Sequence, residues 1–233
     1  MSVPFFYEPL VAAGCTQYTM SEASSKHCIQ VLRMSEGDRI DLTNGQGGLF
    51  HATIQVAHKK NAIVHITDAL QYPAPKQHLH LGISLLKNAV RLEWLFEKAT
   101  EMGITAITPL ICERTIHERF KTERMEQIIQ SAMIQSQQTW LPKLAAPTAF
   151  HQLIEQANAA QKLIAHCEPG KKTSIKTIRA SNDLLLLIGP EGDFSPAEIE
   201  AACNKQFEPI ELGPTRLRTE TAGIFALSVL KNF

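Results

Sequence analysis

Two glycine-bearing stretches hold most of the residues whose type and spacing could do chemistry. In the first, Leu187-Ile188-Gly189-Pro190-Glu191-Gly192-Asp193-Phe194-Ser195-Pro196-Ala197-Glu198, an apolar run enters a Gly-Pro-Glu-Gly turn and then a helix start. Ser195 supplies a hydroxyl N-cap, Pro196 suits the first helical turn, and Glu198 completes a capping box. Gly189 and Gly192 let backbone approach a ligand with no Cβ in the way. A loop at the carboxyl end of a parallel strand is where open α/β sheets bind ligands, although a purely structural turn would need glycine too. The second stretch is Leu212-Gly213-Pro214-Thr215-Arg216-Leu217-Arg218-Thr219-Glu220-Thr221-Ala222-Gly223. It follows a predicted strand at 209–212 and opens a terminal helix at 220–230, with Thr219 placed as its N-cap. Two arginines and a glutamate at a helix N-terminus suit an anion, through free N–H groups and fork-shaped guanidinium groups. A capped helix with an Arg–Glu surface pair would use the same residues.

Several competing chemistries lack their signatures. There is no GxGxxG after a first strand and no GxxxxGK[ST], so neither a dinucleotide fold nor a P-loop is supported; Gly-x-Ser-x-Gly is absent as well. Cys15, Cys28, Cys112, Cys167 and Cys203 are scattered and never form CxxC. That pattern argues against a disulfide framework or zinc knuckle and fits a reducing cytosol. The histidines form no metal pattern: His78 and His80 share one face of a predicted strand, which a half-exposed strand explains without a metal. The start of the chain lacks the basic and apolar segments of a signal peptide, and no run approaches the ~20 apolar residues that span a bilayer. Lysine plus arginine equal aspartate plus glutamate, 23 each, so whole-chain charge does not point to nucleic acid and any RNA site must be a local patch. The densest patch is Lys171, Lys172, Lys176 and Arg179, which would otherwise be a solvated loop.

The elements that must position these loops change character along the chain. Residues 39–43, 49–56 and 62–66 alternate in strand fashion, separated by Asn44-Gly45-Gln46-Gly47-Gly48 and His58-Lys59-Lys60-Asn61 turns, which predicts a meander typical of a small barrel. Tyr72-Pro73-Ala74-Pro75 reads as a linker. Beyond it, predicted strands at 79–86, 104–111, 162–167, 184–188 and 209–212 alternate with helices at 89–102 and 122–138, the first stopped by Gly103. That order predicts an α/β fold with a mostly parallel sheet covered by helices.

Together with His27, Val31-Leu32-Arg33, Gly37-Asp38 and Glu97-Lys98-Ala99-Thr100-Glu101-Met102-Gly103, the two loops resemble the SPOUT superfamily, whose C-terminal domain ties a deep trefoil knot around S-adenosylmethionine. More closely, nearly the whole chain resembles the ribosomal RNA small subunit methyltransferase E family, which methylates N3 of a uridine in 16S rRNA. The resemblance implies a PUA-like RNA-binding β-barrel over residues 1–70 and a SPOUT methyltransferase domain over 71–233. It further implies a cytoplasmic homodimer acting on the small ribosomal subunit, with the pocket completed between subunits and no metal. Carried onto this sequence, the cofactor loops are Ile188, Gly189, Pro190, Glu191 and Gly192, then Leu212, Gly213, Leu217 and Arg218, with Thr221 and Ala222 behind them. Ala165, His166 and Cys167 supply a further wall. RNA contacts are expected at His27, Arg33, Gln135, Lys171 and Lys172; structural alternatives are packing of His27 at a helix start and pairing of Arg33 with Glu36 or Asp38. Two departures stand out: Ser2, Val3 and Pro4 replace an expected basic start, and Gln137-Gln138-Thr139-Trp140 replaces arginines that follow the family's counterpart of Gln135-Ser136.

For such a reaction, uracil N3 must lose a proton before it attacks a sulfonium methyl. Arg218 is the candidate for stabilising negative charge on the base. Glu220 either accepts the proton or orients Arg218; orientation is favoured, because a carboxylate beside a guanidinium is a weaker base. Two other readings stay open: a related enzyme with a different RNA target, and a non-catalytic RNA-binding assembly factor that kept the fold.

Overall fold

The structure is a computed structural model that describes residues 3–116 and 119–231, so the departure at Ser2 lies outside the described residues. The chain divides into two compact units. One holds the residues up to Ala74 together with Met133–Leu141, and the other holds Pro75–Ala132 and the chain from Pro142 onward.

The first unit contains β1 (Phe5–Tyr7), β2 (Gln17–Thr19), α1 (Glu22–Lys26), a π-helical turn at His27–Val31, β3 (Arg39–Thr43), β4 (Gly48–Val56) and β5 (Ile63–Gln71). Its five-stranded sheet runs in the order β1-β3-β4-β5-β2, antiparallel except for β1 beside β3. Strand alternation explains the burial, because successive side chains point to opposite faces. Ile40, Leu42, Phe50, Ala52, Ile54, Val64 and Ile66 point inward with Phe6 and Cys28, and the sheet curls around them. The predicted meander becomes β3, β4 and β5. Asn44 sets the first turn by accepting from the Gln46 and Gly48 amides at 2.9 and 3.0 Å. Residues 133–141 belong to this unit through backbone pairing. Gly47 N donates to Thr139 O at 2.8 Å and Leu141 N to Gly45 O at 2.9 Å, while Trp140 Nε1 donates to Pro73 O at 2.9 Å.

The second unit contains β6 (His78–Ser84), α2 (Ala89–Glu101), β7 (Ala106–Ile111), α3 (Thr122–Gln135, whose end lies in the first unit), β8 (Lys143–Leu144), β9 (Thr148–Ala149) and α4 (Phe150–Gln156). It continues with β10 (Gln161–Ala165), β11 (Thr173–Ser174), a 3-10 turn at Ile175–Thr177, β12 (Asp183–Ile188), α5 (Pro196–Asn204), β13 (Glu208–Glu211) and α6 (Thr219–Leu230). The sheet is parallel throughout, in the order β11-β13-β10-β12-β6-β7-β8, with β9 also on β7. Leu185 and Leu187 of β12 meet Phe150, Leu153 and Ile154 of α4 and Ala202 of α5 on one face. The other face receives α6, where a Cβ on Gly223 would lie 3.0 Å from Leu95 of α2 and 3.7 Å from Ile83 of β6. Burying each such leucine stabilises the fold by roughly 1.5–3 kcal/mol.

His80 on β6 is held among polar neighbours, with Nε2 2.8 Å from Thr108 Oγ1 and its ring edge-to-face with His78. Burial disfavours the imidazolium and His78 repels it, which lowers its pKa from 6.5 to about 4 against the weaker pull of Asp183. The unfolded chain therefore takes up the proton first. Stability contributed by neutral His80 is complete above pH 6.5 and falls away as pH drops toward 4, by about 3 kcal/mol at the end of that window. His80→Gln should flatten this part of the pH–stability curve in urea titrations between pH 7 and 4; an unchanged curve would assign the loss to another group.

Candidate functional site

The neighbouring strands β10, β12 and β13 end together, with Ala165 opposite Ile188 on one side and Ile210 on the other. A cavity of about 520 Å³ opens where they stop, within the size range of small-molecule sites. Its walls are Ala165, His166 and Cys167 from the end of β10; Ile188 to Glu191 with Asp193 from the first loop; and residues 210–219 with Ala222 from the second. Lys172 closes one side. Most residues singled out as cofactor contacts thus gather around one space. Gly192, Glu220 and Thr221 do not line it: Gly192 lies against Arg114, Glu220 is buried, and Thr221 is exposed.

The first loop is held from three directions. Within the loop, Asp193 N donates to Pro190 O at 2.9 Å, and Asp193 takes a φ of 65° that L-residues rarely adopt. Its carboxylate supports that conformation by accepting from Phe194 N at 2.8 Å and from Cys167 N at 2.7 Å, which also ties the loop to the end of β10. From the segment after β7, Arg114 Nη1 donates to Gly192 O at 2.8 Å and to Phe194 O at 3.4 Å. From the segment before α2, Lys87 N donates to Glu191 Oε1 at 3.2 Å. The capping box forms as the sequence predicts, with Ser195 and Glu198 bonded reciprocally. Glu198 is only 2% exposed, and its second oxygen accepts from Glu113 N at 2.9 Å. Gly189 cannot carry a side chain without pressing on this frame, because a Cβ would sit 3.0 Å from Phe194 N.

The second loop leads into α6, which begins at Thr219 with Arg218 in the N-cap place and no side-chain cap bond. The expected cap is therefore displaced by one residue, and Thr219 is instead the buried first residue of the helix. Arg218 and Arg216 remain exposed on the cavity rim. Glu220 sits in the first helical turn, where the helix N-terminus favours a carboxylate, and its ion pair is with Arg91 Nε at 3.6 Å. Gly213 has a φ of 146° with open space where a Cβ would stand. Arg91, Arg114 and Asp193 are the structurally engaged residues that sequence reading passes over.

The cavity suits a polar nucleoside-like group. Its floor is apolar, its rim is charged, and both ring nitrogens of His166 are buried. Burial and the ammonium of Lys172 push the His166 pKa below its usual value, with Asp193 and Glu168 opposing. Lys172 Nζ itself donates to His166 O at 3.2 Å and Glu168 O at 2.9 Å, while Lys171 is exposed. Among the other residues picked out for RNA, His27, Arg33 and Gln135 are exposed in the first unit. The His27 ring stands edge-to-face with Phe6, and Arg33 follows the π-turn with a φ of 56°. Among the described residues, no ion pair joins Arg33 to Glu36 or Asp38.

Comparison with known proteins agrees with this architecture. Residues 73–231 match the RNA methyltransferase domain family, and residues 21–67 match the RNA methyltransferase PUA domain. The ribosomal RNA small subunit methyltransferase E of Synechocystis is 32% identical over 90% of this chain and 71% of its own length. The protein of the same name from Buchnera aphidicola (Acyrthosiphon pisum symbiont) is 30% identical over 92% of this chain and 87% of its own. Among solved structures, a methyltransferase of Legionella pneumophila with bound SAM superposes with a TM-score of 0.89 at 33% identity, covering 99% of this chain and 97% of that one. The Neisseria gonorrhoeae ribosomal RNA small subunit methyltransferase E bound to S-adenosyl methionine gives a TM-score of 0.88 at 26% identity, covering 98% and 97%. Fold and cavity together therefore define a methyltransferase of the RNA-modifying class. The chain belongs to the ribosomal RNA small subunit methyltransferase E family.

Arg114→Ala should release Gly192 and Phe194 without unfolding the sheet. Amide exchange across residues 192–195 is expected to quicken by roughly tenfold or more, since a charge-assisted hydrogen bond contributes about 1.5–3 kcal/mol. Exchange in β12 should stay unchanged, and equal protection of the loop in both proteins would show that Arg114 does not hold it.

Proposed function

We propose that this chain transfers a methyl group from S-adenosyl-L-methionine to N3 of a specific uridine in 16S rRNA, on an assembled or nearly assembled small ribosomal subunit. The observation that carries this reading is the cavity at the carboxyl ends of β10, β12 and β13, walled by both loops, with the exposed guanidinium of Arg218 on its rim. The cofactor is S-adenosyl-L-methionine, which supplies an electrophilic methyl on a sulfonium and leaves as the thioether. Backbone of Gly189, Pro190, Glu191, Leu212, Gly213 and Leu217 would hold it, with Ala165 and Ala222 as apolar contacts.

Uracil N3 lies on the Watson–Crick edge, so the base must be unpaired or turned out to reach the cavity. As N3 gives up its proton, negative charge spreads over the ring and its carbonyl oxygens. Arg218, fixed to the start of α6 and exposed toward solvent, is placed to meet that charge. Glu220 is not on the cavity wall; its partner Arg91 and its place at the helix N-terminus suit it to anchoring α6, and thereby Arg218, rather than to taking the proton. Alignment of methyl and N3 by the two loops supplies much of the remaining acceleration.

The same reading makes the first unit the RNA-docking module, with Arg33 and His27 on its surface and Gln135 and Lys171 as further contacts. Lys172 is already engaged with two carbonyls and serves the pocket wall more than the RNA. It also makes the second unit a SPOUT fold with a trefoil knot, supported by β12 lying between β10 and β6 while β13 lies beyond β10. A homodimer is supported by Val90, Trp94 and Val229, large apolar side chains left exposed on α2 and α6. An rRNA substrate supports a cytoplasmic location.

Incubating unmodified small subunits with the protein and S-adenosylmethionine, then reverse-transcribing 16S rRNA, should give one new strong stop at a uridine, because an N3-methyl blocks pairing. Methylation without a stop would move the target to a ribose or other non-blocking position, and no transfer to any RNA would favour the assembly-factor reading. Arg218→Ala should keep cofactor affinity within a few-fold while turnover falls by roughly 10²–10³; normal turnover would remove Arg218 from the mechanism.

A further inference from the structure

RNA-docking surfaces usually draw affinity from phosphates met by lysine and arginine, and that affinity falls steeply with salt. The first unit is poorly equipped for this. It carries five such cations, Lys26, Arg33, Arg39, Lys59 and Lys60, against six carboxylates. Three segments of it carry no charge at all: residues 44–48, 71–73 and 133–141 contain no Lys, Arg, His, Asp or Glu. Backbone bonds draw these segments together. Tyr72 N donates to Gly47 O at 2.8 Å, Gly47 N to Thr139 O at 2.8 Å and Leu141 N to Gly45 O at 2.9 Å. What they present is aromatic rings and side-chain amides. Tyr72 is 45% exposed. Half-buried Trp140 is fixed by its indole N–H on Pro73 O at 2.9 Å, and its ring lies against Gly47, where a Cβ would stand 2.7 Å from Cζ2. Gln46, Gln71 and Gln137 are exposed on the same segments. Gln137 takes a left-handed φ of 55° in a turn closed by Gln138 N on Met133 O at 3.0 Å.

We infer that this surface docks unpaired RNA bases, which stack on Tyr72 and Trp140 while the glutamine amides bond their edges. None of these five residues is among those the resemblance assigns to RNA. The inference rests on reading the first unit as the RNA-docking module and deepens it by naming the chemistry of the contact. Every base has a π face that an aromatic ring can take, and a glutamine amide matches the paired donor and acceptor of adenine. The arginines expected after Gln135 would grip phosphate; Gln137, Gln138, Thr139 and Trp140 stand in their place, so contact moves from the RNA backbone to its bases. A uridine methylated at N3 has to be out of pairing, and a single-stranded stretch around it would offer the bases this surface takes.

The test uses the full chain with Trp94→Phe, which leaves Trp140 as its sole tryptophan, and a short oligoadenylate RNA as probe. Binding should quench Trp140 fluorescence. Affinity should fall by about tenfold or less between about 50 and 200 mM salt, where a set of six to ten phosphate contacts loses about 10³–10⁵. Tyr72→Ala should bind about tenfold more weakly, the scale of one stacked base, and raise KM for unmodified small subunits while kcat holds; Tyr72→Phe should bind like the parent. Gln137→Gly keeps the left-handed turn and removes only the amide, so it should weaken binding severalfold at an unchanged melting temperature, and it decides the matter if Tyr72→Ala fails to fold. A steep salt dependence, or undiminished binding by both variants with methylation intact, would overturn the base-docking surface and leave the methyltransferase reading in place. A raised KM in the variants with no quenching by oligoadenylate would overturn it in favour of a ribosomal protein as partner. Small subunits that the parent chain neither binds nor methylates would remove the docking-module reading, and the inference with it.

Discussion

A strand enclosed like β12, with β10 and β6 on its edges and helices over both faces, has no water to satisfy its backbone. Every N–H and C=O from Asp183 to Ile188 must pair sideways, and every side chain must tolerate burial, which the run Leu184-Leu185-Leu186-Leu187-Ile188 does at 3% exposure or less. The chain cannot turn until it clears the neighbouring strands. When it does, at Gly189, it emerges beside the ends of β10 and β13, whose register with β12 is already set. The cavity is thus a consequence of sheet register: three strands stop at one level, and the loops that leave them line the space beyond their ends.

The first of those loops is kept in shape largely by carboxylates receiving backbone amides. Glu198 accepts from Ser195 and Glu113, Asp193 from Phe194 and Cys167, and Glu191 from Lys87. An ionised acceptor makes a stronger bond to an amide than a neutral one, and a carboxylate as buried as Glu198 persists because donors and a helix N-terminus surround it. These carboxylates hold backbone, while the exposed rim carries Arg216 and Arg218 together with Glu191 and Glu211.

Much of this was legible in the sequence where periodicity is long. The alternation at 39–43 and 49–56, the apolar run at 184–188 and the helical spacing after Ala89 all reappear within two residues of their predicted bounds, and the capping box at Ser195 is present bond for bond. β1, β2, β8, β9 and β11 are two or three residues long, too short for any period to register. The placement of 133–141 depends on backbone pairing with Gly45 and Gly47, which side-chain pattern does not encode. The roles of Arg91 and Arg114 are not visible in the sequence because each takes its meaning from a partner far along the chain, Glu220 in one case and Gly192 in the other. The shift of the α6 cap from Thr219 to Arg218 is the one-residue ambiguity that helix ends carry. For the cofactor residues, the family resemblance put the two loops together, and the strand order of the sheet brings them to one cavity; what each contact contributes is a matter of side-chain geometry that spacing does not express.

The bonds from Glu113 and Arg114 to the loop around Gly192 join segments about 80 positions apart. These stretches are therefore a single unit of inheritance in a mechanical sense. Lengthening the turn after β7, or moving the Gly-Pro-Glu-Gly segment into another parallel-sheet scaffold, would strand a buried glutamate on one side and a guanidinium on the other. A graft of this loop has to carry its distant strap with it, and natural drift in either stretch is confined to changes that its counterpart can accommodate.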